Sequence, residues 1–289
     1  MKRLTTIICL LSLLSVFAQQ KKVIIIVAGS GTYNVQNLEI KRYKESLVTP
    51  ISNSHLARLD TWCSMLKDSL AIDSLAQRFD VYAQTANEEQ GASLRNLVKR
   101  AHDATASGSP AWVQWQGYTG SNNNYLIANY NPISDGVTYT LNNASMGVYT
   151  RKDVSESFGV IGRSFATGGS AFIQVRRTTG SAAMRLNDLT DVFNNFSANA
   201  TGMYIASRTD TTTLNLYRNS VPGAGYTTPT TGLYAGAVGY LVLTANASQF
   251  SENEIAAYFF GSGFTAEEVR KITNCQEWYM DDLGKGVIP

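Results

Sequence analysis

Met203-Tyr204-Ile205-Ala206-Ser207-Arg208 is the stretch on which the fold turns. Tyr204, Ala206 and Arg208 alternate against Met203, Ile205 and Ser207, as a strand in a sheet with one packed face requires. Similar short runs recur on both sides of it, roughly every eight to twelve residues. They are Trp112 to Tyr118, Tyr125 to Asn129, Ser145 to Arg151, Phe158 to Gly162 and Ala171 to Arg176, then Leu214 to Tyr217, Leu233 to Leu243 and Ile255 to Phe260. Clusters of Gly, Asn, Ser and Thr separate them, and helical spacing is missing throughout. Many short strands without intervening helices predict an antiparallel two-sheet jelly-roll sandwich over residues 106–264.

Helical periodicity appears on either side. After Pro50 and Ser52, Leu56, Leu59, Trp62, Cys63, Leu66 and Leu70 recur at helical spacing. A shorter segment, Leu75 to Tyr82, follows, and Ala92, Leu94, Leu97, Val98 and Ala101 mark another amphipathic helix, giving a helical segment over 50–105. Thr265 and Glu268 form a capping-box signature ahead of Val269, Ile272, Gln276 and Tyr279, and Gly284 stops that helix within a C-terminal stretch of 265–289. The expected class is therefore mainly β: a jelly-roll sandwich with an N-terminal helical segment and a C-terminal helix.

Residues 1–18 read as a signal peptide, with Lys2 and Arg3 before the apolar run Ile7 to Phe17. The alternative is an uncleaved apolar segment packed in an assembly. Residues 19–49 read as the strand Val23 to Val27 followed by a linker. No other stretch is long and apolar enough to span a bilayer, so no membrane span is expected in the mature chain. Of 24 basic residues, removing Lys2 and Arg3 leaves 22 against 22 acidic ones. A neutral mature chain gives no support for nucleic-acid binding by a basic face. Two histidines and three cysteines leave little material for a zinc site.

Catalytic motifs fail on missing partners. Gly29-Ser30-Gly31 lacks the third glycine and helix of a dinucleotide fingerprint, and a nucleophilic Ser30 would need a histidine later than His102. No Glu-x-Asp-x-Glu or Glu-x-Asp-x-x-Glu pattern supplies the acid and nucleophile of a glycosidase. Glu252 and Glu254 read as a loop entering the next strand, and Asp188 and Asp191 as solvated turn residues. His55 and His102 read as surface residues. Asn122, Asn123, Asn124 and Asp135 are turn chemistry ahead of a calcium site, so no metal and no cofactor are expected. Cys63 and Cys275 lie on predicted helices; buried free thiols are favoured over a bridge that export would permit.

Several strand-and-turn motifs carry a resemblance. They are Gly117-Tyr118-Thr119-Gly120, Tyr125-Leu126-Ile127-Ala128-Asn129-Tyr130-Asn131-Pro132, Asp135 to Thr140 and Ala144 to Tyr149. Tyr204 to Arg208, Leu216 to Asn219 and Phe259 to Thr265 fit the same pattern. Together they resemble the concanavalin A-like, laminin-G-like proteins of phage virions and prophages, over roughly residues 54–284. The resemblance implies a tail-fibre, appendage or surface component that displays a jelly roll for glycan or host contact; with the carboxylate patterns missing, the expected role is non-catalytic, in a homo-oligomer or larger assembly. Its place would be the virion. The signal peptide departs from that pattern and raises the alternative of an exported bacterial glycan-binding surface protein.

Sugar recognition pairs aromatic stacking with amide and carboxylate hydrogen bonds. Trp112, Trp115, Tyr118, Tyr125, Tyr130 and Tyr149 are available for stacking, although core packing is the ordinary role of each. Trp112 and Trp115 have opposite strand parity, so one is expected to face the core and the other not. Within 117–151 the sheet face and loops concentrate Asn, Asp and Tyr, and Asn124, Tyr125 and Asp135 are the candidate ligand-binding residues.

Overall fold

The computed structural model describes residues 33–289, apart from 157, 165–168, 197–198, 235 and 237–238. The signal-peptide residues and the strand Val23 to Val27 lie outside the described residues. The chain opens with helices Leu38–Ser46 (α1) and Asn53–Leu70 (α2), strand Phe79–Gln84 (β1) and a single helical turn, Gln90–Ser93 (α3). Strands Thr105–Ser107 (β2), Ala111–Val113 (β3), Gly117–Thr119 (β4), Tyr125–Ile127 (β5) and Ala144–Thr150 (β6) follow. Next come Ile161–Arg163 (β7), Ser170–Gln174 (β8), Ala182–Asp188 (β9), Val192–Asn194 (β10), Gly202–Arg208 (β11) and Thr213–Arg218 (β12). Val221–Pro222 (β13), Tyr226–Thr227 (β14), Leu241–Val242 (β15), Glu254–Gly261 (β16) and the helix Ala266–Asp282 (α4) complete the chain.

These strands form two antiparallel sheets. The larger runs β13-β12-β11-β6-β16-β4-β3, with β1 also pairing β16 and β14 also pairing β12; the smaller runs β10-β9-β8-β7-β15-β5-β2. The mainly β sandwich with helices toward both ends is therefore the fold. Its layers number three rather than two. Tyr204, Ala206, Met146, Val148, Tyr258 and Phe260 of the larger sheet face the smaller sheet across one core. Met203, Ile205, Tyr149 and Phe259 face a second core built with Leu59, Trp62, Leu66, Ile272 and Tyr279 of α2 and α4. The stretch 203–208 alternates as expected, but both its faces are packed. Gly147 sits opposite Phe259, and a Cβ there would lie 2.2 Å from the ring, so the glycine makes room for the aromatic.

Local sequence fixes the helix ends. Ser52 caps α2 by accepting from His55 N, and Thr265 and Glu268 form the reciprocal capping box of α4. Gly284, with φ 66°, follows the end of α4. Several expected elements differ. Residues 38–46, within the expected linker, are α1, whose Ile40 and Tyr43 reach the helix-side core. The expected helical segment Leu75 to Tyr82 gives a turn at Leu75–Gln77 and then β1, which pairs β16. A run buried on both faces carries no period that separates strand from helix.

The expected helix Ala92 to Ala101 is not formed beyond Ser93. Asn96 Oδ1 accepts from Tyr82 N and Val98 N, Nδ2 donates to Asp80 O and Ala101 O, and Leu97 N donates to Tyr82 O. An amide side chain that serves the backbone of β1 replaces the helical ladder. Trp112 to Tyr118 is a hairpin, β3–β4, rather than one strand. Its turn holds Trp115 at φ 65°, and Gly117, which opens β4, has φ 110°. The parity expectation for the two tryptophans therefore does not apply: Trp112 packs on the inter-sheet core, and Trp115 meets His55 edge-on at 4.8 Å.

Buried carboxylates fasten loops to this frame. Asp80 accepts from Tyr130 Oη at 2.8 Å and from the backbone N–H groups of Val137, Thr138 and Tyr139. Asp60 accepts from Gln36 N, Asn37 N and Tyr33 Oη, which holds the segment before α1 against α2. Each buried negative charge is matched by several donors, as burial demands.

Candidate functional site

Among the described residues, the outer face of the smaller sheet carries no second hydrophobic cluster. In the smaller sheet Leu126, Ile161, Ile173, Met184 and Val242 point into the inter-sheet core. By the two-residue period, Tyr125, Ile127, Phe172, Gln174 and Arg185 turn to the opposite, outer face. Register places Thr105, Ile127, Leu241, Gly162, Phe172 and Arg185 in one row across five strand pairings. Gly162 is required there: its φ is 112°, and a Cβ would lie 2.1 Å from Ala171 O. The row consequently has a side-chain gap beside Phe172.

A cleft of about 50 Å³ lies on this face, with Phe172 and Gln174 as its floor. Gly159 and Ser164 form one wall, and Ala245, Asn246 and Gln249 the other. Arg185 places its guanidinium 5.4 Å from the Phe172 ring centre and pairs with Asp191 at 2.5 Å. The loop after β15 is held by its own side chains. Asn246 Oδ1 accepts from Ser248 N and Gln249 N, Nδ2 donates to Gln249 Oε1 at 2.8 Å, and Thr244 Oγ1 donates to Gln249 O. This Asx turn sets the cleft wall without help from a partner. The loop ends in Phe250, whose ring stacks on Tyr125 with centres 5.7 Å apart.

The three candidates from sequence are distributed as follows. Tyr125 is half-buried on β5, touches the inter-sheet core, and is tied through Phe250 to the loop that lines the cleft. Asn124, immediately before it, closes a turn: Oδ1 accepts from Ser109 N at 2.7 Å, and Nδ2 donates to Ser121 Oγ at 2.6 Å. Asp135 lies past the other end of β5 and closes a separate turn by accepting from Asn131 N at 2.8 Å and Ser134 Oγ at 3.0 Å. Among the described residues no hydrogen bond joins Asp135 to Asn124 or Tyr125. Of the other aromatic candidates, Tyr118, Tyr130 and Tyr149 are fully buried. Within 117–151, β6 is a buried central strand, whereas 121–125 and 133–143 are largely half-buried or exposed.

Two residues read as solvent-facing are interior. His55 is fully buried, its Nε2 3.0 Å from Asn87 Oδ1. Burial and the neighbouring Arg58 charge push its pKa from 6.5 down to about 3, against a smaller opposing effect of Asn87. Asp188 is buried beside Arg208, whose guanidinium donates to Leu186 O and Thr228 O and so ties the segment after β14 to β9. Cys63 and Cys275 are free, buried thiols, and burial pushes Cys275 up to about 11. Among the described residues no group of three His, Cys, Asp or Glu side chains could hold a metal ion, and no helix is long and apolar enough to cross a membrane.

The cleft residues come from three separate segments, and the sequence reading did not select them. The alternation of Phe172 and Gln174 against Ala171 and Ile173 marks which way they point. No spacing in the chain marks that they meet 245–249.

No family model matches this chain, and no curated protein matches it by sequence. Solved structures match its fold. A Trypanosoma rangeli sialidase in complex with sialic acid is 10% identical with a TM-score of 0.52, over 79% of this chain and 40% of that one. The binding domain of Paraclostridial Mosquitocidal Protein 1 is 11% identical with a TM-score of 0.51, over 70% and 53%. The receptor binding domain of botulinum neurotoxin C/D mosaic serotype is 12% identical with a TM-score of 0.50, over 70% and 52%. This chain therefore spans about half or less of the length of each. At these identities the likeness is one of fold: all share the β-sandwich architecture, among enzymes and binding domains alike.

Proposed function

We propose that this chain is a non-catalytic recognition module that binds glycan on the outer face of its smaller sheet. The observation that carries the reading is the cleft floored by Phe172 and Gln174 and walled by Asn246 and Gln249. It combines an aromatic ring with amide groups on a rigid sheet, the chemistry that recognises sugar hydroxyls and apolar sugar faces. A non-catalytic role is supported by the acidic groups of the flanking segments. Asp191, Asp153 and Glu254 are ion-paired with Arg185, Arg176 and Arg151, and Glu156 accepts from Glu252 N and Asn253 Nδ2. In most glycosidase families hydrolysis uses two carboxyls poised across the bond, sialidases with a tyrosine nucleophile being an exception.

Single-site sugar binding is weak, and display in several copies supplies avidity. The resemblance to phage appendage proteins supports such display on a phage-like particle, and the Lys2-Arg3 apolar leader supports export to a bacterial surface instead. Mass spectrometry of the native N-terminus decides between them: an intact Met1 in a purified particle supports the first, and cleavage near Ala18 the second. The binding reading is tested on a glycan array with multimerised full chain. We expect binding to be lost in Gln174→Ala/Gln249→Ala. Loss instead in Asn124→Ala/Tyr125→Ala/Asp135→Ala moves the site to the β5 loops, and binding to no glycan overturns the reading.

A further inference from the structure

We infer that the cleft is a subsite for the acetamido group of an N-acetylated sugar, an inference that rests on the glycan-binding reading above. Size is the first ground. A buried water needs ~10–15 Å³ of such space, so a cleft of about 50 Å³ encloses a few water-sized groups rather than a whole pyranose ring. What enters is a substituent of the ring. An acetamido group, with its carbonyl carbon and oxygen, nitrogen and methyl, has that size.

Charge is the second ground. Every side chain lining the cleft is neutral. Arg185, whose guanidinium lies over the Phe172 ring, is paired with Asp191. An incoming carboxylate or ammonium finds no opposite charge among the lining residues and would be desolvated without compensation from them.

Matching of polar groups is the third ground. Gln249 uses its Oε1 to accept from Asn246, which leaves the two Nε2 hydrogens for a ligand carbonyl. Ser164 donates its backbone N–H to Ala245 O, while its Oγ makes no hydrogen bond among the described residues and can accept the ligand N–H. Phe172, the one aromatic residue of the lining, offers the apolar surface for the methyl. The sugar ring itself then lies outside, on the face where Tyr125 and Phe250 stack. A free hydroxyl in the same place reaches at most one of these groups and leaves the aromatic floor to water.

The test is calorimetric titration of the full chain with N-acetylglucosamine and N-acetylgalactosamine, against glucose, galactose, glucosamine and glucuronic acid. Saturation-transfer NMR on the acetyl methyl signal reports the contact directly. We expect the N-acetyl sugars to bind about tenfold more tightly than their parents, the effect of one well-made hydrogen bond and a buried methyl. Gln249→Ala and Ser164→Val are each expected to remove most of that preference while the circular dichroism spectrum stays unchanged. Gln249 is solvent-exposed, so its variant does not depend on core repacking. Equal binding of parent sugars, binding of glucuronic acid alone, or a preference untouched by both variants overturns the acetamido assignment and leaves glycan binding standing. Failure of every sugar on the array and in titration overturns both.

Discussion

Phe259 and Phe260 are adjacent in β16 and both fully buried, one under the helices and the other between the sheets. In β8, Ile173 is buried between the sheets while its neighbour Gln174 lines a solvent cleft. The contrast holds across the two sheets. The larger one is the middle layer of three, so its side chains serve packing on both faces. The smaller one is the outer layer, and its outer face carries the cleft residues Gln174, Asn246 and Gln249, which lie outside both hydrophobic clusters. A ligand site on a rigid sheet is best placed there, because geometry is fixed by one face and chemistry is chosen by the other.

If this division is right, Phe259→Ala should have the largest effect, a loss of about 4 kcal/mol, because Gly147 opposite it cannot fill the space. Urea denaturation measures it, and a loss below about 1 kcal/mol would mean that the helices do not seal that face. Asp80→Ala should cost about 3 kcal/mol. It strands Tyr130 Oη and three backbone donors of the 137–139 segment away from water. Tyr130→Phe, which removes one donor and keeps the ring, should cost about 1 kcal/mol. Equal costs for the two would remove Asp80 as the fastening point.

The helix-covered layer should also be the one that senses mild acid. His55 is held neutral in the fold, with its pKa depressed from 6.5 to about 3. Its contribution to stability is therefore complete above pH 6.5 and lost as pH falls toward 3. The slope is ~1.4 kcal/mol per pH unit while the unfolded chain holds the extra proton. Between pH 6.5 and 4.5 most carboxyls remain ionised, so melting temperature in that window should fall in the wild type and stay flatter in His55→Gln. A wild-type profile that is flat there would contradict the burial of the ring. Smallest of all, Gln249→Ala on the open face should change stability by under about 0.5 kcal/mol. A larger cost would show that the cleft loop is a structural support, and the contrast between the sheets would fail.

The sequence by itself determined the class of fold and the ends of the helices α2 and α4. Alternation over 203–208, turn-rich separators and the Thr265/Glu268 cap are local signals, written within a few residues of where they act. Leu75 to Tyr82 was not legible because burial on both faces removes the period that tells strand from helix. The segment after Ala92 was not legible either, because Asn96 finds its partners in β1 rather than one turn away. The same limit governs the site. Tyr125 was legible as an aromatic on a sheet face. The meeting of Gly159, Ser164, Phe172 and Gln174 with Asn246 and Gln249 was decided only when β7, β8 and β15 paired, since strand neighbours in an antiparallel sandwich are distant in the chain and register alone brings their side chains together.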